Sequence, residues 1–350
     1  MTLRSDPSSS NAGHLDAVCI GETMVSFVET DDPRHFAAIA AGAESNVAIG
    51  MARLGLRTRW VSRIGDDPLG RLVEESVASS GVDVSVIRDP ERVTGVMVKH
   101  PSGPEKISSY YRSESAARLL DPTDLQRAGS APLIHVTGIT PALSQSALGL
   151  VQAVVGRVAG LDSTVSFDFN YRAKLWPDAE MAATVLLPLA RDADVVFIGD
   201  DEARLLFGST SPPALADLIL RRTDQELVLK RGSGEASVVT VDGESSVPTL
   251  PTTVIDVTGA GDAFAAGYLA ASFFEWPAEA RLRLGHVMAA RVVGSLQDIS
   301  PALSDEELMD VSPSGLSTLW NDSRGSTEAA STGTGRQQSF TAGTREGRGL

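Results

Sequence analysis

The chain has 350 residues, of which 30 are Lys or Arg and 45 are Asp or Glu, for a net charge of −15. At roughly 150 residues per domain, one large domain or two ordinary ones are allowed. The acidic balance excludes a nucleic-acid footprint, which needs a basic face, and the single cysteine excludes an internal disulfide or a cysteine metal cluster.

The start, Met1 to His14, is polar and Ser-rich, without the apolar stretch of a signal peptide. No segment approaches the ~18 consecutive apolar residues of a membrane span, so a cytoplasmic location is expected. Ala17–Gly21 reads as a strand, with Cys19 as a buried thiol. Ser45–Gly55 reads as a helix, with Ser45 as N-cap, Val47, Met51 and Leu54 on helical spacing and Gly55 as its stop. Arg59–Gly65 reads as a strand and Asp67–Gly81 as a helix with Pro68 in its first turn. Further strands are expected at Leu133–Thr137, Thr164–Phe169, Asp194–Ile198, Glu226–Lys230 and Ala236–Val241. Helices are expected at Gln145–Ala159, Met181–Ala190 and Pro213–Arg222. Strands alternating with helices imply right-handed βαβ units and a mostly parallel sheet covered on both faces.

Segments 22–41 and 93–113 break the alternation and carry strand-like runs such as Thr94-Gly95-Val96-Met97-Val98. They are expected to pair into a small separate sheet. Ligands of open α/β sheets bind beyond the carboxyl ends of the strands, so such a sheet would act as a lid. From Ser312 to Leu350, 20 of 39 residues are Ser, Thr or Gly. A segment of that composition buries too little surface to offset its ordering entropy. Residues 1–15 and 312–350 are therefore expected to be disordered tails around a folded domain at 16–311.

The sharpest motif is Asp256-Val257-Thr258-Gly259-Ala260-Gly261-Asp262, followed by a small, apolar helix carrying Phe264, Tyr268 and Leu269. Gly259 and Gly261 then sit at a helix N-terminus, where free N–H groups and the helix dipole make an anion site. A carboxylate beside that site would repel phosphate. One reading makes Asp262 a general base that takes a proton from an attacking hydroxyl; the other makes it a first-turn aspartate favouring the dipole. No Gly-x4-Gly-Lys-Ser/Thr occurs, so a P-loop is excluded. Phe264 stands where a dinucleotide fingerprint needs its third small residue.

Asp256–Leu269 resembles the C-terminal signature of the ribokinase-like (PfkB) sugar kinases. Gly42-Ala43-Glu44-Ser45-Asn46-Val47-Ala48, with Ala52-Arg53-Leu54-Gly55 and Gly65, resembles their N-terminal signature, with Ala41 where a second glycine is commoner. The resemblance covers about residues 16–311. It implies a three-layer α/β/α core with a mostly parallel sheet and a small β-sheet lid, ATP as donor and Mg²⁺ carried with the nucleotide. Asp262 would be the base, and Gly259, Ala260 and Gly261 the anion hole. Lys230-Arg231-Gly232-Ser233-Gly234 resembles the ATP-side loop, implying Lys230, Gly232 and Gly234 as nucleotide contacts. Asp200-Asp201-Glu202 resembles an Asn-x-x-Glu element that helps place Mg²⁺; Gly199 replaces the asparagine, so only Glu202 carries over. Asp256 and Thr258 would border a monovalent-cation site such as one for K⁺.

Three fragments are similar to the 2-keto-3-deoxygluconate kinases of that family: Tyr110-Tyr111-Arg112 with Ser115-Ala116-Ala117, Gly138–Leu143, and Asp168-Phe169-Asn170-Tyr171-Arg172 with Leu175-Trp176. They imply Arg112 and Arg172 at a carboxylate, which an arginine fork matches in bidentate geometry. Gly42, Asn46, Tyr110, Ile139 and Asp298 would contact the rest of the sugar. A 6-hydroxyl of 2-keto-3-deoxygluconate is thus the expected acceptor. A kinase for its galacto epimer or for fructose, and a non-catalytic binding protein on the same fold, stay open. His14, His35, His100 and His135 show no metal-ligand spacing, and His286 is expected to pack. A homo-oligomer formed through the lid is a further expectation of the resemblance, with no nucleic-acid or membrane partner.

Overall fold

The computed structural model describes residues 14–313 apart from 31, 33, 101–106, 158–162, 296–298 and 300. Its strands are β1 (Ala17–Ile20), β2 (Met24–Glu29), β3 (Phe36–Ala41), β4 (Thr58–Gly65), β5 (Asp83–Asp89), β6 (Val96–His100), β7 (Ile107–Tyr111), β8 (Leu133–Thr137), β9 (Thr164–Asp168), β10 (Val195–Gly199), β11 (Glu226–Lys230), β12 (Glu235–Thr240) and β13 (Gly243–Pro248). Its α-helices are α1 (Ala43–Arg53), α2 (Pro68–Ser79), α3 (Leu125–Ala128), α4 (Thr140–Leu143), α5 (Gln145–Val155), α6 (Ala179–Asp192), α7 (Asp200–Phe207), α8 (Pro212–Ile219), α9 (Ala260–Phe273), α10 (Ala278–Val293) and α11 (Asp305–Val311).

Nine strands form one sheet in the order β13-β12-β11-β10-β9-β8-β1-β4-β5. The run from β11 to β5 is parallel, and β12 and β13 add an antiparallel edge. Parallel strands need both faces covered, and their sequences are accordingly apolar throughout. Val18, Ile20, Ile134, Val136, Phe167, Val196 and Ile198 join Leu150 of α5, Leu186 of α6 and Ile219 of α8 in one core. On the other face α9 packs between α1 and α10, and Phe197 of β10 meets Tyr268 of α9 edge-on at 5.5 Å. The chain runs outward from β1 through β4 to β5 on one side, and from β8 through β9 and β10 to β11 on the other. That makes the β1/β8 boundary the topological switch point, where such sheets open a crevice.

The two irregular segments pair as expected into a separate four-stranded sheet, β3-β2-β6-β7. Several boundaries differ from the sequence reading. Helix α1 starts two residues early, with Gly42 as its N-cap, so Ser45 is inside the helix. Its hydroxyl donates back to the Gly42 carbonyl at 3.0 Å and accepts from Thr23 at 2.7 Å. Asp67 does cap α2, accepting from the Gly70 amide at 2.7 Å. Helix α6 starts two residues earlier than expected, capped by Asp178, which accepts from the Met181 amide at 2.7 Å, and runs two residues further, to Asp192. Leu15 is buried in the main core. Residues 1–13 and 314–350, which carry most of the two expected tails, lie outside the described residues, as does Asp298.

Candidate active site

Three parallel strands deliver the central cluster by their carboxyl ends. Asp168 ends β9, Lys230 ends β11, Glu202 lies in the first turn of α7 just after β10, and Asn170 follows β9. Helix α9 supplies Asp262 from its first turn, and α1 supplies Asn46. Gly259 caps α9 with φ of +79°, a left-handed conformation that glycine adopts without strain. Ala260 and Gly261 then open the helix; the Ala260 amide donates to the Val257 carbonyl at 3.2 Å, and the N-terminal end of the helix dipole at Gly261 is the arrangement that attracts an anion.

Asp262 is buried and held at both oxygens. The Asn46 amide donates to Oδ2 at 2.9 Å and the Asn170 amide to Oδ1 at 3.2 Å. Burial raises its carboxyl above the usual aspartate range, while the Asn46 hydrogen bond and the nearby charge of Arg172 pull the other way. Lys230 donates to Asp168 Oδ2 at 2.6 Å, and its ammonium is 3.4 Å from where a side chain on Gly261 would begin. Burial presses that ammonium's pKa down, but Asp168 and Glu202 beside it prevail and hold it above the usual lysine range. Glu202 accepts the Tyr171 amide at 2.6 Å and the Gly199 amide at 2.7 Å, and burial with Asp168 as neighbour raises its carboxyl. Three carboxylates against one lysine leave a negative surplus at the anion hole, a donor set that suits a divalent cation brought in with a polyphosphate. Among the described residues no group of three or more His, Cys, Asp or Glu could itself enclose a metal ion.

Toward β1 lies a second cluster. Arg112, just after β7, pairs with Glu22, just after β1, and both side chains are buried. Gly42 lies under this segment: a side chain there would begin 2.5 Å from the Glu22 carbonyl, which explains the glycine. Ile139 is buried and its amide donates to Thr137 Oγ1 at 3.1 Å. Tyr110 is 39% exposed, with the Lys174 ammonium 5.7 Å from its ring centre. Arg172 is exposed.

On the other side, the turn after β11 carries Gly232 and Gly234. Thr249 donates to the Gly232 carbonyl at 3.2 Å, and the Gly234 amide donates to Arg231 at 2.7 Å. The amide and hydroxyl of Thr258 both donate to Asp256 Oδ1, at 3.1 and 2.9 Å, and Lys99 of β6 stands 3.8 Å from Asp256 Oδ2. A cation at Asp256 and Thr258 would therefore meet an ammonium already there. His286 is buried, bonded to the Val247 carbonyl at 3.0 Å and edge-on to Phe264.

The sequence reading gave no role to four residues of these clusters. Asp168 and Asn170 stood in a quoted fragment, and their strand-end position was the available signal. Glu22 was signalled only by an acid directly after an apolar strand. Glu44 is fully buried in α1; Thr137 and Thr140 donate to its Oε1 at 2.7 and 2.8 Å, and burial pushes its carboxyl up to about 7. Cys19 is buried as expected, and burial followed by the Glu44 charge pushes its thiol well above the ordinary range.

This fold and site define a carbohydrate kinase. Residues 15–305 match the model of the pfkB family carbohydrate kinase, and the chain belongs to that family. It is a phosphotransferase acting on a sugar hydroxyl. It is 37% identical over 267 residues to the 2-dehydro-3-deoxygluconokinase of Bacillus subtilis, covering 73% of this chain and 82% of that protein. It is 33% identical over 293 residues to the enzyme so named from Thermoproteus tenax, covering 80% and 89%. A solved PfkB protein from Polaromonas sp. JS666 superposes with a TM-score of 0.73 at 33% identity, covering 81% of this chain and 97% of that one.

Proposed function

We propose that the protein phosphorylates the 6-hydroxyl of 2-keto-3-deoxygluconate with ATP. The observation that carries this reading is Asp262, buried at the N-terminus of α9, oriented at both oxygens by Asn46 and Asn170, with Lys230 against Gly261. In the proposed reaction the 6-hydroxyl gives its proton to Asp262 as its oxygen bonds to the γ-phosphorus, the β–γ bridging bond breaks, and ADP leaves. The Gly259–Gly261 amides and Lys230 carry the charge that develops on the transferring group, as preorganised donors do most effectively in a water-poor site. Glu202 and Asp168 would hold Mg²⁺ carried with the nucleotide; when bound, it supplies positive charge to the phosphate oxygens. Gly232 and Gly234 would let the backbone approach the nucleotide.

Arg172 would face the carboxylate, with Arg112, already paired with Glu22, and Gly42, Tyr110 and Ile139 along the sugar. The small sheet would close over the sugar and exclude water, which suppresses ATP hydrolysis. Exposed Phe36, Tyr110 and Tyr111 on that sheet support an oligomer formed through it. Because Glu22 already pairs with Arg112, the second reading is a kinase for a neutral ketohexose. Asp262→Asn tests the base: turnover should all but vanish while ATP binding by calorimetry persists. Near-normal turnover in that variant would sink the assignment.

A further inference from the structure

Arg112 is not a bare cation waiting for a substrate carboxylate. Its Nη2 donates to Glu22 Oε2, and the two side chains are 9% and 1% exposed. The pair sits where β1 ends, beside Gly42 and one turn from Asn46, which itself holds Asp262. Its hydrogen bonding is incomplete. Among the described residues Arg112 Nε and Glu22 Oε1 have no partner, although both are buried. Glu22 Oε1 faces the bare Cα of Gly95, where a side chain would begin 2.8 Å away. A buried donor and a buried acceptor left open on one ion pair are costly unless a ligand completes them. The same open position recurs at Asn46 Oδ1.

Resting on the sugar-acid reading above, we propose that Glu22 is a specificity-setting positioning residue: it locks Arg112 in place and cancels its charge, so the pair reads sugar hydroxyl or carbonyl groups while discrimination in favour of an acid falls to Arg172. A fixed arginine–carboxylate unit offers one open donor and one open acceptor, which suits a polyol carbon chain. It offers no net charge to a carboxylate.

The test is the ratio of KM values for the carboxamide of 2-keto-3-deoxygluconate and for the acid itself, a pair that differs in charge and little in shape. Glu22→Gln should raise this ratio about tenfold, the effect of removing one like charge about 12 Å from the bound carboxylate at an effective dielectric of about 20. Arg112→Gln leaves Glu22 bare and should lower it by about tenfold. Replacing both partners of a buried pair is tolerated far better than breaking it, so Glu22→Gln/Arg112→Gln decides the matter if either single variant fails to fold. That double variant should keep the ratio within about threefold of the natural protein, because a neutral pair replaces a neutral pair. A fall of about tenfold in the double variant, or an unmoved ratio in Glu22→Gln, would overturn the proposal. Turnover of neither compound by the natural protein would remove the sugar-acid reading and this proposal together; turnover with the wrong ratios would remove the proposal alone.

Discussion

Replacing Asn46 by alanine isolates what holds the proposed base. Alanine is the best helix former, so α1 is undisturbed, and Asn46 Oδ1 has no partner to strand. What is lost is the 2.9 Å donation to Asp262 Oδ2, leaving Asn170 at 3.2 Å as the remaining amide donor. A hydrogen bond to a charged group contributes about 1.5–3 kcal/mol. Since a pH unit corresponds to about 1.4 kcal/mol, the Asp262 pKa should rise by about one to two further pH units. The sign follows from which form is active. Asp262 works ionised, the lost donor favoured the ionised form, and turnover disappears as pH falls through the Asp262 pKa. The acid limb of kcat, measured between about pH 5 and 9 at saturating ATP, should therefore move upward by about one to two pH units and recover at high pH. Ionisation of ATP is common to both proteins and cancels in the comparison. Asn170→Gly should move the limb less, because its bond is longer, and glycine accepts the φ of +38° found there. A profile lowered in parallel, with its acid limb unmoved, would refute Asp262 as the titrating base.

Lys230→Met should lower kcat by about 10²–10³-fold, the usual effect of losing a charge-stabilising donor, and should weaken MgATP; unchanged steady-state constants would remove Lys230 from the nucleotide side. Glu44 should make stability pH-dependent. Its carboxyl is pushed up to about 7 in the folded protein, so its contribution is full below the unfolded value near 4.3 and is lost as pH rises through about 7, about 3 kcal/mol in all. Urea unfolding of the natural protein minus that of Glu44→Gln should decline by this amount between pH 4.5 and 8. The difference is the right quantity because His135, pressed down to about 4 by burial, gives the opposite slope. A flat difference would contradict a buried, largely protonated Glu44.

The alternation of apolar strands and helices was readable in the sequence because parallel strands are apolar along their whole length. The small sheet was readable as two stretches that break the alternation. Asp262 and the Gly259–Gly261 helix start were legible as a local motif, since all the chemistry lies within a few residues. Helix α1 was misread at its start because Ser45 has the chemistry of a cap, while the actual cap, Gly42, was chosen by close contact with Glu22 and Thr23 from another segment. Glu22, Glu44 and Asp168 escaped for a similar reason. Their partners Arg112, Thr137 and Lys230 are 90, 93 and 62 residues away, and no local spacing encodes such pairs.

ADP release measured with ATP, Mg²⁺ and a panel of 2-keto-3-deoxygluconate, its galacto epimer, fructose and ribose tests the central claim most directly. Strong turnover is expected on one or both sugar acids, and little on the neutral sugars. Turnover on fructose or ribose with none on either acid would contradict it.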